Sequence, residues 1–176
     1  AFQIGVVLTD TVMQIDTLSK ESLLNNLTKI ESNLSNMGAG EGFVFSVTEL
    51  KRKVTNDALN RDEVLLEMDE IIAYSRPSEG FGKGDTTGPL LQAGSWLTSL
   101  NLISHAILNE KKIASANTLF RHGKIAEYFL SYVQHEGGQK VDGSVKAVLE
   151  DTLNVLIEVS EKKEITKADV EQVASI

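Results

Sequence analysis

The sequence predicts an all-α protein: an up-and-down bundle of four to five main helices with a short C-terminal helix. Three observations predict it. Apolar residues recur at steps of three and four along most of the chain, which places them on one face of a helix. Only two prolines occur in 176 residues, and they bracket one glycine-rich segment. Proline breaks helix interiors, because it lacks the N–H and its ring clashes with the preceding turn. Finally, glycine-rich breaks at 38–42, 77–89 and 137–143 cut the pattern into helix-sized pieces. No repeat or composition shift marks a second domain, so residues 1–176 read as a single helical-bundle domain.

The first long segment spans about Asp10–Asn36, with Val12, Ile15, Leu18, Leu23, Leu27, Ile30, Leu34 and Met37 as its stripe. Gly38 ends it as a left-handed residue just past a helix. Phe2–Leu8, ahead of it, is the best strand candidate in the chain. The second segment spans about Gly42–Ser75, with Phe43, Val47, Leu50, Val54, Ala58, Leu65, Met68 and Ile72 as its stripe. Asn56, Asp57, Asn60 and Asp62 are weak helix formers, so a break near residue 60 is expected, with Asp62 capping a second helix. Pro77 ends the segment.

Residues 77–89 form the longest irregular stretch, and long irregular loops in compact domains are often functional. Within it, Gly80–Gly88 has the glycines, lysine and hydroxyls of a phosphate loop. However, Gly84 rather than Ser or Thr follows Lys83, and no strand precedes it. A connector between helices fits better.

The third helix should begin at Pro89, a residue favoured in the first turn. From Pro89 to Leu108 there is no Asp, Glu, Lys or Arg. A helix with no charged face is buried on most sides, which makes this the expected central element. Ala93, Gly94, Ser95 and Ser99 let neighbouring helices approach closely there. The fourth segment, about 113–135, carries Ile113, Ala116, Phe120, Ile125, Phe129 and Val133, with Arg121-His122-Gly123 as a dividing point. The fifth, about 141–160, carries Val145, Val148, Leu149, Thr152, Leu156 and Val159. Thr166 opens the short terminal helix, with Asp169 in its first turn.

The chemistry is bounded mostly by exclusion. Twenty-five acidic residues outweigh 17 basic ones, for a net charge of −8, so a phosphate-backbone partner is not expected. With no cysteine in the chain, thiolate nucleophiles, disulfides and cysteine zinc sites are excluded. His105, His122 and His135 are too far apart to pair on one helix turn, and no Glu lies three residues before any of them. The metalloprotease and di-iron bundle patterns therefore fail. A haem would need His105 with Met13, Met37 or Met68 as ligands, and a lone helical histidine is more often part of the core. The Gly-x-Ser-x-Gly nucleophile elbow is absent. No catalytic residue, metal ligand or cofactor is assigned, and no apolar run reaches the ~20 residues that span a bilayer.

What remains is the polar inventory of the third helix. Trp96, Asn101, Ser104 and His105 interrupt an otherwise apolar helix, and an unpaired buried polar group costs roughly 1–3 kcal/mol. They are expected either to bond across helices or to face a ligand. Tyr128 and Tyr132 share a face at i, i+4 and suggest an exposed contact patch. The candidate ligand-binding residues are Trp96, Asn101, Ser104, His105 and Tyr128.

The stretch Gly94-Ser95-Trp96-Leu97-Thr98-Ser99-Leu100-Asn101-Leu102 resembles a glycine–tryptophan helix of uncharacterised, exported all-helical proteins of Gram-negative bacteria. Ala126-Glu127-Tyr128-Phe129-Leu130 and Ile165-Thr166-Lys167-Ala168-Asp169 are similar in character. The resemblance covers scattered pieces of the second half and carries no known activity. It implies a signal peptide upstream of Ala1, a periplasmic or exported location rather than a cytoplasmic one, and a non-catalytic role. The expected function is a non-enzymatic, exported helical bundle with a binding or interaction role, its partner a protein or a small apolar ligand and its specific activity unassigned. The alternative is a small-molecule or cofactor-binding sensor bundle with a pocket beside residues 89–108.

Overall fold

A computed structural model describes residues 1–73, 87–135 and 141–176. Those residues are helical with short connections, and no strand occurs among them. The chain divides into two compact units, Ala1–Ser95 and Trp96–Ile176.

The first unit contains α1 (Phe2–Met13), α2 (Lys20–Asn36), α3 (Glu41–Thr55), α4 (Arg61–Ala73) and the start of α5 (Thr87–Asn109). Helix α1 packs on α2, α2 on α3, α3 on α4, and α4 back on α1, which closes a four-helix ring around Leu8, Leu27, Ile30, Phe43, Leu50 and Met68. Phe2–Leu8 is therefore helix and not strand: Ile4, Leu8 and Thr11 are buried at helical spacing.

The expected Asp10–Asn36 helix is broken at 14–19. Ser19 takes an extended conformation and its hydroxyl accepts from the Ser22 N–H, so α2 starts afresh there. Gly38 ends α2 at φ +67°, as expected, and the Ala39 N–H reaches back to the Leu34 carbonyl.

The break near residue 60 is also present, but its cap is Asn60 rather than Asp62. The Asn60 side chain accepts from the Glu63 N–H, and the Glu63 carboxylate accepts from the Asn60 N–H. Met68 is buried as expected, but on either side of it the burial shifts by one position: Val64 and Ile71 are buried in place of Leu65 and Ile72, which are half-buried, and Ala58 is exposed.

Small residues set the crossing of α1 and α5. Gly5 and Gly94 lie against the opposite backbones, and the Ser95 hydroxyl donates to the Gly5 carbonyl at 3.2 Å. Helix α5 begins at Thr87, two residues before Pro89. From Gly88 to Ser104 it is buried or half-buried, as an uncharged helix should be.

The second unit holds the rest of α5, a 3₁₀ turn (Ile113–Ser115), α6 (Ala116–Leu119), α7 (Gly123–His135), α8 (Gly143–Glu161) and α9 (Lys167–Ala174). Residues 121–122 do separate two helices, as the sequence suggests. Helices α7 and α8 pair along their length, and Gly123 abuts Ser160 of α8. The α8 core face is Leu149, Leu153, Leu156 and Val159; Val145 and Val148, expected on that stripe, face solvent instead. Thr166 and Asp169 form a reciprocal capping box on α9.

Candidate functional site

Trp96 is the sequence-predicted residue around which a pocket forms. It is half-buried on α5, and its indole lies 5.7 Å from the Phe129 ring at a 43° tilt, an arrangement aromatic pairs favour. The pocket is completed by Leu100 of α5, Phe120 and His122 at the α6–α7 junction, and Leu156 and Val159 of α8.

Neighbouring contacts fix this junction. The Arg121 guanidinium donates to the Ser160 carbonyl at 2.8 Å, to Lys163 at 3.0 Å and to Lys162. These are orphan carbonyls at the end of α8 and just beyond it, where a cation is also favoured by the helix dipole.

The pocket is apolar and small. Its empty volume, open mouth included, is about 240 Å³.

The other predicted residues do not converge on Trp96. Asn101 is half-buried and its amide donates to the Ala174 carbonyl at 3.0 Å, tying the end of α9 to α5. Ser104 is 0% exposed, and its hydroxyl donates to the Leu100 carbonyl one turn back at 2.6 Å. His105 departs from the expectation for a buried helix: it is exposed, because the burial of Ser104 and Ile107 turns position 105 outward. Tyr128 is 52% exposed, with its ring 5.2 Å from Phe129. The Tyr128–Tyr132 patch does not form, since Tyr132 is buried in the core. His122, Leu156 and Val159 carry no sequence signature of a site. The only sequence signal for His122 is its place in the break between two helices.

One carboxylate is strongly perturbed. Lys162 pairs with Asp169, and the Thr166 backbone N–H donates to it at 2.7 Å; together they hold its pKa down at about 2, against the usual 3.8. These are the contacts of a cap and an ion pair, and they stabilise the start of α9.

Among the described residues no group of three or more His, Asp or Glu side chains is placed to hold a metal ion. No helix among them is long and apolar enough to cross a membrane. Most of the 77–89 loop, including Gly80–Thr86 of the phosphate-loop-like stretch, lies outside the described residues, as do residues 136–140 in the third glycine-rich break. No family model, curated protein or solved structure matches this chain.

Proposed function

We propose that this chain is a non-enzymatic, exported helical-bundle protein whose role is to bind a protein partner. One observation carries the binding role. On α7, Ala126, Phe129 and Val133 close the core, while Ile125 and Tyr128, one turn apart, stay 38% and 52% exposed. Burying apolar side chains is the main driving force of association, and tyrosine is enriched among the residues that dominate interfaces. The small-molecule alternative would use the Trp96 pocket, which has an aromatic and aliphatic lining and an open mouth. The exported location is supported by the resemblance of the Gly94–Leu102 stretch to exported helical proteins.

The binding role is tested by placing a photo-crosslinking residue at position 128 in cells, with exposed Gln134 of the same helix as control. A discrete adduct from 128 and none from 134 is expected, with the partner identified by mass spectrometry. Equal yields from the two positions, or no adduct from 128, would sink the reading. Fractionation of the same cells decides between an exported and a cytoplasmic location.

A further inference from the structure

Helix α8 carries two apolar stripes, and the fold covers only one of them fully. Leu149, Leu153 and Leu156 are buried. Beside them Val145, Val148, Thr152 and Val155 succeed one another at steps of 3, 4 and 3, the spacing of a and d positions in a helix-pairing seam. Val145 is 45% exposed and Val148 64%, whereas Thr152 and Val155 are half-buried. All four are β-branched, a type that lowers helix propensity on a free surface; at the a positions, Val145 and Thr152, β-branching suits pairing of two helices.

The charges beside the seam say what fits it. With Val145 at a, the outer flanking g positions fall on Asp151 and Glu158, both exposed, and the inner e positions on Leu149 and Leu156, both buried. Lys146, the one cation on α8, lies 3.8 Å from Glu150 and is offset by it. A second copy would set these carboxylates against each other or against leucine, which disfavours self-pairing.

We propose that the seam Val145–Val148–Thr152–Val155 docks an amphipathic helix of a partner protein that carries apolar residues at its own a and d positions and lysine or arginine beside them. Such a helix buries the valines and pairs with Asp151 and Glu158. The proposal rests on the binding role argued above and adds the surface and the chemistry of the partner.

The test uses the full chain and two three-heptad peptides with isoleucine at a and leucine at d, one with lysine at e and g, the other with glutamate. The lysine peptide should bind in preference. Val148→Asp, at an exposed position, should weaken it about tenfold or more, and Val145→Asp should act in the same direction with helical content unchanged. The double reversal Asp151→Lys/Glu158→Lys should switch the preference to the glutamate peptide, by about tenfold. No binding of the lysine peptide, equal affinity for both peptides, or binding indifferent to Val148→Asp each overturns the proposal. A dimer seen by sedimentation and abolished by Val148→Asp also overturns it, in favour of a second copy. If the peptides fail while position 128 still gives its adduct, only this surface and partner chemistry fall, and the binding role stands.

Discussion

A β-carbon added to Gly5 would overlap the carbonyl oxygen of Leu91. It would also sit 2.8 Å from the Ser95 nitrogen, and a β-carbon on Gly94 would overlap the Phe2 carbonyl oxygen in turn. The obstacles are backbone atoms, which cannot rotate away as a side-chain tip can. Gly5→Ala should therefore force α1 and α5 apart and destabilise the first unit by about 2–3 kcal/mol. Gly42→Ala in the first turn of α3, where nothing lies within 4 Å, should instead stabilise by up to about 1 kcal/mol. Urea unfolding of both variants checks the pair; a Gly5→Ala protein as stable as its parent would refute the close crossing.

Asn101 and His105 lie one turn apart on α5 and should respond oppositely to truncation. Asn101→Ala removes the bond to the Ala174 carbonyl and should cost about 1–2 kcal/mol, with faster amide exchange across α9. His105→Ala removes an exposed side chain and should stay within about 0.5 kcal/mol. The reverse ranking would contradict an inward Asn101 and an outward His105.

Asp169 gives the fold a dependence on acid. Its carboxylate is 6% exposed, and its folded pKa of about 2 lies below the ordinary 3.8. A depressed folded pKa contributes stability that is fully present above the unfolded value and is lost as pH falls through the folded one. The contribution, about 2 kcal/mol, should fade between about pH 4 and pH 2. Asp169→Asn should be less stable than the parent at pH 6, and the gap should narrow below pH 3. A gap independent of pH would assign the effect to packing.

Lys111 ends α5 at φ +55°, with the Lys112 N–H reaching back to the Ile107 carbonyl at 3.0 Å. A side chain in this left-handed region is strained, and glycine is not. Lys111→Gly should raise stability by about 0.5–1 kcal/mol, seen as a higher melting temperature. Asp57 shares the conformation at φ +52°, but its carboxylate pairs with Lys20 at 2.6 Å, so Asp57→Gly should gain less. A lower melting temperature for Lys111→Gly would contradict the strain.

The legible parts of this protein were the ones written locally. Gly38 and the Thr166–Asp169 pair act within one turn of backbone, so the chain itself names them as helix ends. The small residues around Gly94 marked a close crossing, because only small side chains permit one. Asn60 was the harder cap: Asp62 competes with it two residues away, and the choice fell to Asn60, which exchanges hydrogen bonds with Glu63.

Residue pattern was enough to read the chain as helical, to place most helix ends roughly and to see that residues 89–108 carry no Asp, Glu, Lys or Arg. Which way each helix faces depends on packing between helices. Neighbouring positions on a helix differ by 100°, so a pattern broad enough to be buried on either of two faces leaves the choice to the helices packed against it. That is why Val145 and Val148 face solvent while Leu149 and Leu153 do not, why Asn101 reaches α9 while His105 points out, and why Trp96 and His122 line one pocket. The last pair lies 26 positions apart in sequence, and only the packing of α5, the α6–α7 junction and α8 brings the two residues together.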